Sequence, residues 1–121
     1  MRAYVVDELD PQTVKHIAEH LTDMGFASGM EKLYWLPLEE RFLTPVQKEH
    51  AEKCGPYCMA LEVLDSGVRL ELLVRARNIM RCECVTYTTP EAEHFMIEQL
   101  DQMIAEIQKE ELNELFGTCC A

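Results

Sequence analysis

Four cysteines and one histidine are the residues of this chain whose types and spacing could do chemistry. Cys54-Gly-Pro-Tyr-Cys58 is followed, after two strand-like runs, by Cys82-Glu-Cys84, and His50 lies four residues before Cys54. On a helix that spacing puts His50 and Cys54 on one face. On a strand Cys82 and Cys84 point the same way, and the charged Arg81 and Glu83 between and before them point to the solvated side. Thiolates and imidazole are soft ligands. Four of them in a tetrahedron form a closed zinc site, and thiolates of the same kind hold iron–sulfur clusters. A C-x3-C pair lies within the spacing of zinc knuckles; a C-x-C pair does not. The candidate metal set is therefore Cys54, Cys58, Cys82 and Cys84, with His50 as a further ligand. The competing reading is that the thiols are only small buried apolar residues, since free cysteine is among the most buried types. An interaction domain whose cysteines are pure core is then the alternative function.

A third reading is thiol–disulfide exchange. Cys-Gly-Pro-Tyr-Cys resembles the active-site loop of thioredoxin-like proteins over five residues, with three residues between the cysteines instead of two. Reactive thiolates are favoured at helix N-termini, whereas Cys54 falls at the end of an expected helix, where the dipole favours the neutral thiol. Cys119-Cys120 stands at a terminus expected to fray.

His16-Ile17-Ala18-Glu19-His20 matches the inverted zinc-peptidase pattern H-x-x-E-H. The apolar stripe of the same helix centres on Val14, Ile17, Ala18 and Leu21. His16, Glu19 and His20 lie roughly 100–160° around from that centre at ~100° per residue. They are expected on a polar surface face, without a peptidase site.

The remaining composition narrows the function. The chain has 121 residues, 48% of them hydrophobic, and 22 acids against 11 bases for a formal net charge of −11. One domain over residues 1–121 is expected, with a core that needs no disulfide staple. The charge argues against a dedicated nucleic-acid binder, which needs basic surface. No run approaches the ~18 apolar residues of a membrane span, and the N-terminus lacks the apolar stretch of a signal peptide. A cytoplasmic protein with reduced thiols is expected. Nucleophile elbow, phosphate-binding glycine loop and dinucleotide fingerprint are all missing from the sequence, which points away from an enzyme.

The elements that must position the thiols follow from punctuation and periodicity. Residues 2–7 read as a strand apolar on both faces, hence central. Asp10 as cap, Pro11 at the first helical position and Gly25 past the end bound a helix. Leu33–Leu36 reads as a strand ended by Pro37. Thr44-Pro45-Val46-Gln47 is a capping box opening a short helix that runs through Cys54 to a terminating Gly55. Residues 57–64 and 68–77 are strands joined by Asp65-Ser66-Gly67, a three-residue loop that wants a left-handed glycine. Residues 81–87 form a further strand. Thr89-Pro90-Glu91 opens a last helix reaching Leu115 or Phe116, strongly acidic on its exposed face. The order β-α-β-α-β-β-β-α predicts an α+β two-layer sandwich: a mainly antiparallel sheet of about five strands with helices on one face.

That architecture leaves one sheet face open. Alternation puts Arg69, Arg75 and Arg77 on it, with Glu71, and sets Arg81 and Glu83 beside them on the next strand. In a chain of net −11 this is the one locally basic surface. Cross-strand ion pairs on a solvated face would account for it. The alternative is an interface for an acidic protein partner, and the acidic last helix of a second copy is such a partner. A homodimer burying this face, with Leu73, Val85 and Tyr87 among the arginines, is the expectation.

Overall fold

The sheet is built around β3 (Tyr57–Val63), whose Tyr57, Met59, Leu61 and Val63 all point to one side and are buried. The computed structural model describes residues 2–79 and 81–116. β2 (Leu33–Pro37) pairs antiparallel with β3 from Leu33↔Glu62 to Pro37↔Cys58. On the other side of β3 lie β4 (Val68–Glu71) and β5 (Leu73–Ala76), both antiparallel to it.

These two strands were one in the periodicity. The pairs Leu61↔Leu70 and Cys58↔Arg75 explain the break. Three steps along β3 are matched by five along its neighbour, so the neighbour carries two extra residues and bulges at Leu72. Two is an even number, so the side-chain alternation survives: Leu70, Leu72, Val74 and Ala76 stay buried. The bulge also divides the outer edge. β1 (Ala3–Val6) pairs with β4, and β6 (Thr86–Tyr87) pairs with β5. Leu72 serves both, donating its N–H to the Arg2 carbonyl and accepting from the Thr88 N–H.

β1 is thus an edge strand, not a central one. Tyr4 and Val6 pack on the core, while Val5 is about half exposed. Its double apolar face reflects a short edge strand that is tied down from above. Arg2 pairs with Glu93, and the Tyr4 hydroxyl donates to Asp101, both on the last helix. The hairpin glycine is also needed for a different reason than expected. Gly67 lacks a left-handed φ; any Cβ there would run into the Val6 carbonyl of β1.

The helices cover the inner face. α1 (Pro11–Asp23) starts with the Gln12 N–H donating to the Asp10 carboxylate at 2.8 Å. It ends as expected: the Gly25 N–H bonds Thr22 O and the Phe26 N–H bonds Leu21 O, with Gly25 at φ +82°. That is the Schellman closure, which only a residue without Cβ adopts at little cost. α4 (Pro90–Phe116) is capped by Thr89, whose hydroxyl accepts from the Ala92 N–H. Ala92, Met96, Leu100, Ile104 and Ile107 form its buried stripe. α1 and α4 are joined where Thr13 and His16 both bond Glu111. Among the described residues, no helix is long and apolar enough to cross a membrane.

Candidate metal centre

The first half of the centre comes from the stretch between β2 and β3. A 3-10 turn (Glu40–Phe42) leads to α2 (Pro45–Glu49). The capping box forms as the sequence implies: the Gln47 N–H donates to Thr44 Oγ1, and the Thr44 N–H donates to Gln47 Oε1 at 2.9 Å. The helix then breaks at His50 (φ −92°, ψ 2°) and resumes as the single turn α3 (Ala51–Cys54). The break leaves the expected neighbours together. The Cys54 N–H bonds the His50 carbonyl, and His50 Nδ1 lies 4.0 Å from Cys54 Sγ.

Gly55 ends α3 with an extended backbone (φ −65°, ψ 172°), so it is not the left-handed terminator expected. A Cβ there would stand 2.7 Å from the Ala51 carbonyl oxygen. The glycine lets the chain double back tightly from Cys54 into β3. Asn78 holds that corner from beyond β5, bonding the Cys54 carbonyl with its N–H and the Gly55 carbonyl with its side chain.

The second half departs from expectation. Residues 81–85 are not a strand. Cys82 to Val85 is a turn closed by the Val85 N–H on Cys82 O, and only Thr86–Tyr87 pairs as β6. A turn is free of strand alternation, so Cys82, Glu83 and Cys84 can all lie near one point. Gln47 anchors this turn. Its side-chain Nε2 donates to the Cys84 carbonyl at 3.0 Å, and its own carbonyl accepts from the Tyr57 hydroxyl at 2.7 Å. Gln47 is only 1% exposed. The capping box used its Oε1 alone, so the remaining NH2 of a buried glutamine needed an acceptor. That unspent donor was the sequence signal for its second role.

The outcome is one compact group. His50 Nδ1 and the Sγ atoms of Cys54, Cys82 and Cys84 all lie within 4.8 Å of one another. Zinc with bonds of about 2.3 Å to sulfur and 2.0 Å to nitrogen sets tetrahedral S···S and S···N distances of about 3.8 and 3.5 Å. The His50 Nδ1 distances to Cys82 (3.2 Å) and Cys54 (4.0 Å) straddle the second value. Cys54 and Cys84 are buried, and His50 and Cys82 half-buried. On its other side, His50 Nε2 lies 3.7 Å from the Glu83 carboxylate. At that distance the largely exposed Glu83 is an ion-pair neighbour of the ring rather than a hydrogen-bond partner. These four residues could hold a metal ion.

The thiols divide electrostatically. Burial pushes Cys54 up to about 12, with the neighbouring Cys84 and Cys82 thiols adding to the effect. Cys82 moves the other way, down to about 7, chiefly because the Cys84 N–H and thiol donate to it. Burial, then the adjacent Cys84 thiol, also raises Tyr57.

Cys58 is not in the group. In β3 it follows Tyr57, and alternation sends the two side chains to opposite faces. Its thiol points to the outer face, 3.9 Å from the Arg75 carbonyl, and burial raises it to about 11 against the lowering pull of Arg77 and Arg75. Met59, Leu61 and Val63 sharing the inner face already implied this. Replacing Cys58 by alanine is expected to leave metal content unchanged, whereas Cys84→Ala removes it. Equal loss in both variants, measured by elemental analysis, would contradict the geometry.

The other candidates fall elsewhere. His16 bonds Glu111 of α4 and Glu19 and His20 are exposed, so H-x-x-E-H forms no cluster. Arg69, Arg75 and Arg77 share the outer sheet face as expected, lining one groove. Glu71 on that face is buried, not solvated, and is held by Arg75 in a two-bond ion pair. Arg81 stands exposed in a bend before the cysteine turn rather than on a strand beside the other three, and Glu83 faces His50. Cys119 and Cys120 lie outside the described residues.

Fold and site together define an α+β domain with a His/Cys3 group able to hold a metal ion. No protein-family model, curated protein or solved structure matches the chain.

Proposed function

We propose that this protein is a small zinc-binding domain of the binding or regulatory kind, in which His50, Cys54, Cys82 and Cys84 hold one structural zinc ion. The observation that carries the reading is the convergence of four soft ligand atoms within 4.8 Å from two segments about 30 residues apart. Three sulfurs and one nitrogen suit zinc; iron–sulfur clusters usually take four thiolates. All four positions of a tetrahedron are supplied by the chain, which is the mark of a structural zinc rather than a catalytic one with an open position. The zinc would clamp the 82–85 turn, and with it β6 and the start of α4, onto the Cys54 corner. Such a site persists where thiols stay reduced, in keeping with a cytoplasmic protein.

Thiol exchange has less support. It needs Cys54 and Cys58 to meet, yet their thiols belong to opposite faces of the sheet and both are raised away from ionisation. The deciding experiment is elemental analysis of protein purified anaerobically, without a histidine tag. One zinc per chain is expected, lost in Cys54→Ser and Cys84→Ser. Protein that folds fully without metal, and takes up none when zinc is supplied, would return these cysteines to the core.

A further inference from the structure

With α1 and α4 on the inner face, the outer face of β2–β5 forms a groove of about 450 Å³. Its floor lies over small residues of β3, Cys58 and Ala60. The β2 side is apolar, with Trp35 and the well-exposed Met30; Arg69 stands on the β4 side, and Arg77 reaches across from beyond β5 so that its guanidinium lies over the Trp35 ring at 5.6 Å. Arg75, Glu71 and Glu62 complete the charges of the groove. Arg75 and Glu71 neutralise each other, and Glu62 stands opposite Arg69 in the β3–β4 ladder, so three arginines against two glutamates leave the groove one positive charge in excess in a chain of net −11.

The complementary shape is present on the same chain. The last buried residue of α4 is Ile107, yet the helix runs nine residues further to Phe116, about 13 Å at 1.5 Å per residue. Those turns carry Leu112 (55% exposed) and Leu115 (75%). At ~100° per residue they sit roughly 60–120° around the helix from the core stripe, on a side the protein's own core does not use. Glu110 and Glu114 sit on the opposite flank, exposed. An acidic flank and an apolar flank on one projecting helix end match the arginines and the apolar side of one groove.

We propose that the outer sheet face is the docking surface for the C-terminal turns of α4 from a second copy of this chain. Leu112 and Leu115 lie against the Trp35 side, and Glu110 and Glu114 face the arginines. Two copies that exchange these ends reciprocally about a two-fold axis close as a dimer, whereas one-way docking would continue into a filament. Desolvated apolar contact supplies the affinity, and the charges set orientation and partner choice. The proposal does not rest on the zinc reading, because none of these residues belongs to the cysteine cluster.

Light scattering across a dilution series, with zinc content measured on the same samples, tests it. A dimer is expected whose dissociation constant rises with salt. Arg77→Glu or Glu114→Arg alone is expected to weaken the dimer at least about tenfold by setting like charges together, and the double reversal to recover part of that loss. Leu115→Asp should abolish the dimer while leaving the monomer's helix content unchanged. A monomer at every concentration would overturn the proposal, including one whose groove captures some other acidic protein. So would a dimer that neither charge reversal weakens.

Discussion

Stripping zinc with excess chelator is expected to lower the midpoint of thermal unfolding by roughly 15 °C. A ligand held only by the native state stabilises it by about 4 kcal/mol when free ligand exceeds its dissociation constant a thousandfold. For a chain of this length each kcal/mol is worth about 3–5 °C. Adding zinc back should restore the midpoint, which separates metal loss from chelator damage. The effect depends on pH with a definite sign. Zinc takes all three sulfurs as thiolates, so near pH 7 it must displace protons from the cluster, among them the one on Cys54, raised to about 12, and more from Cys82, lowered to about 7, as the solution turns acid. As pH falls below about 7, Cys82 becomes fully protonated and more protons oppose binding. Affinity therefore falls by more than tenfold per unit of acidification, and the gap between zinc-loaded and chelated midpoints narrows toward about pH 5. A midpoint indifferent to chelator at neutral pH would sink the structural-zinc reading.

Leu61→Ala is expected to cost about 2–5 kcal/mol, the usual range for a leucine cut back in a closed core. Leu61 is 0% exposed and sits directly across from Leu70, itself 0% exposed, at the end of the β3–β4 ladder next to the bulge, with Tyr34 of β2 opposite it on its other side. Neighbours on both strands and in the helices above cannot collapse into the gap without moving the sheet. The denaturant midpoint should fall while the slope of stability against denaturant stays the same, since no new surface is exposed on unfolding. Leu115→Ala is the control, within ~0.5 kcal/mol for the monomer because its side chain is 75% exposed. A loss below about 1 kcal/mol at Leu61 would mean that β3 is not the centre of the core.

The parts of this protein that the sequence determined are those governed by neighbours along the chain. Asp10-Pro11, Thr44-Pro45 with Gln47, and Thr89-Pro90 each open a helix, because a cap and a preset φ act within one turn. Gly25 closes α1 because the left-handed position follows directly from the helix it ends. Alternation in β3 marked its buried face, and the α+β class with helices over an antiparallel sheet followed. His50 and Cys54 were legible as neighbours for the same reason, being one helical turn apart.

What the tertiary structure decided is whatever depended on a partner distant in sequence. The two-residue bulge at Leu72 is invisible in periodicity, since an even insertion preserves alternation, yet it gives β1 and β6 separate places on one edge. Gly67 is set by the Val6 carbonyl of the neighbouring strand β1, far from it in sequence. The cysteine turn could be read as a strand because Cys82 and Cys84 alternate with charge. The turn closes on itself through the Val85 N–H on the Cys82 carbonyl, and a buried hydrogen bond from Gln47 Nε2 to the Cys84 carbonyl, reaching across 37 residues, anchors it. That bond holds Cys82 and Cys84 beside the helix break at His50, while alternation in β3 sends Cys58 to the other side of the sheet. Ligand identity could be narrowed from residue type; ligand membership required the fold, because a metal selects atoms by position in space and not by spacing along the chain.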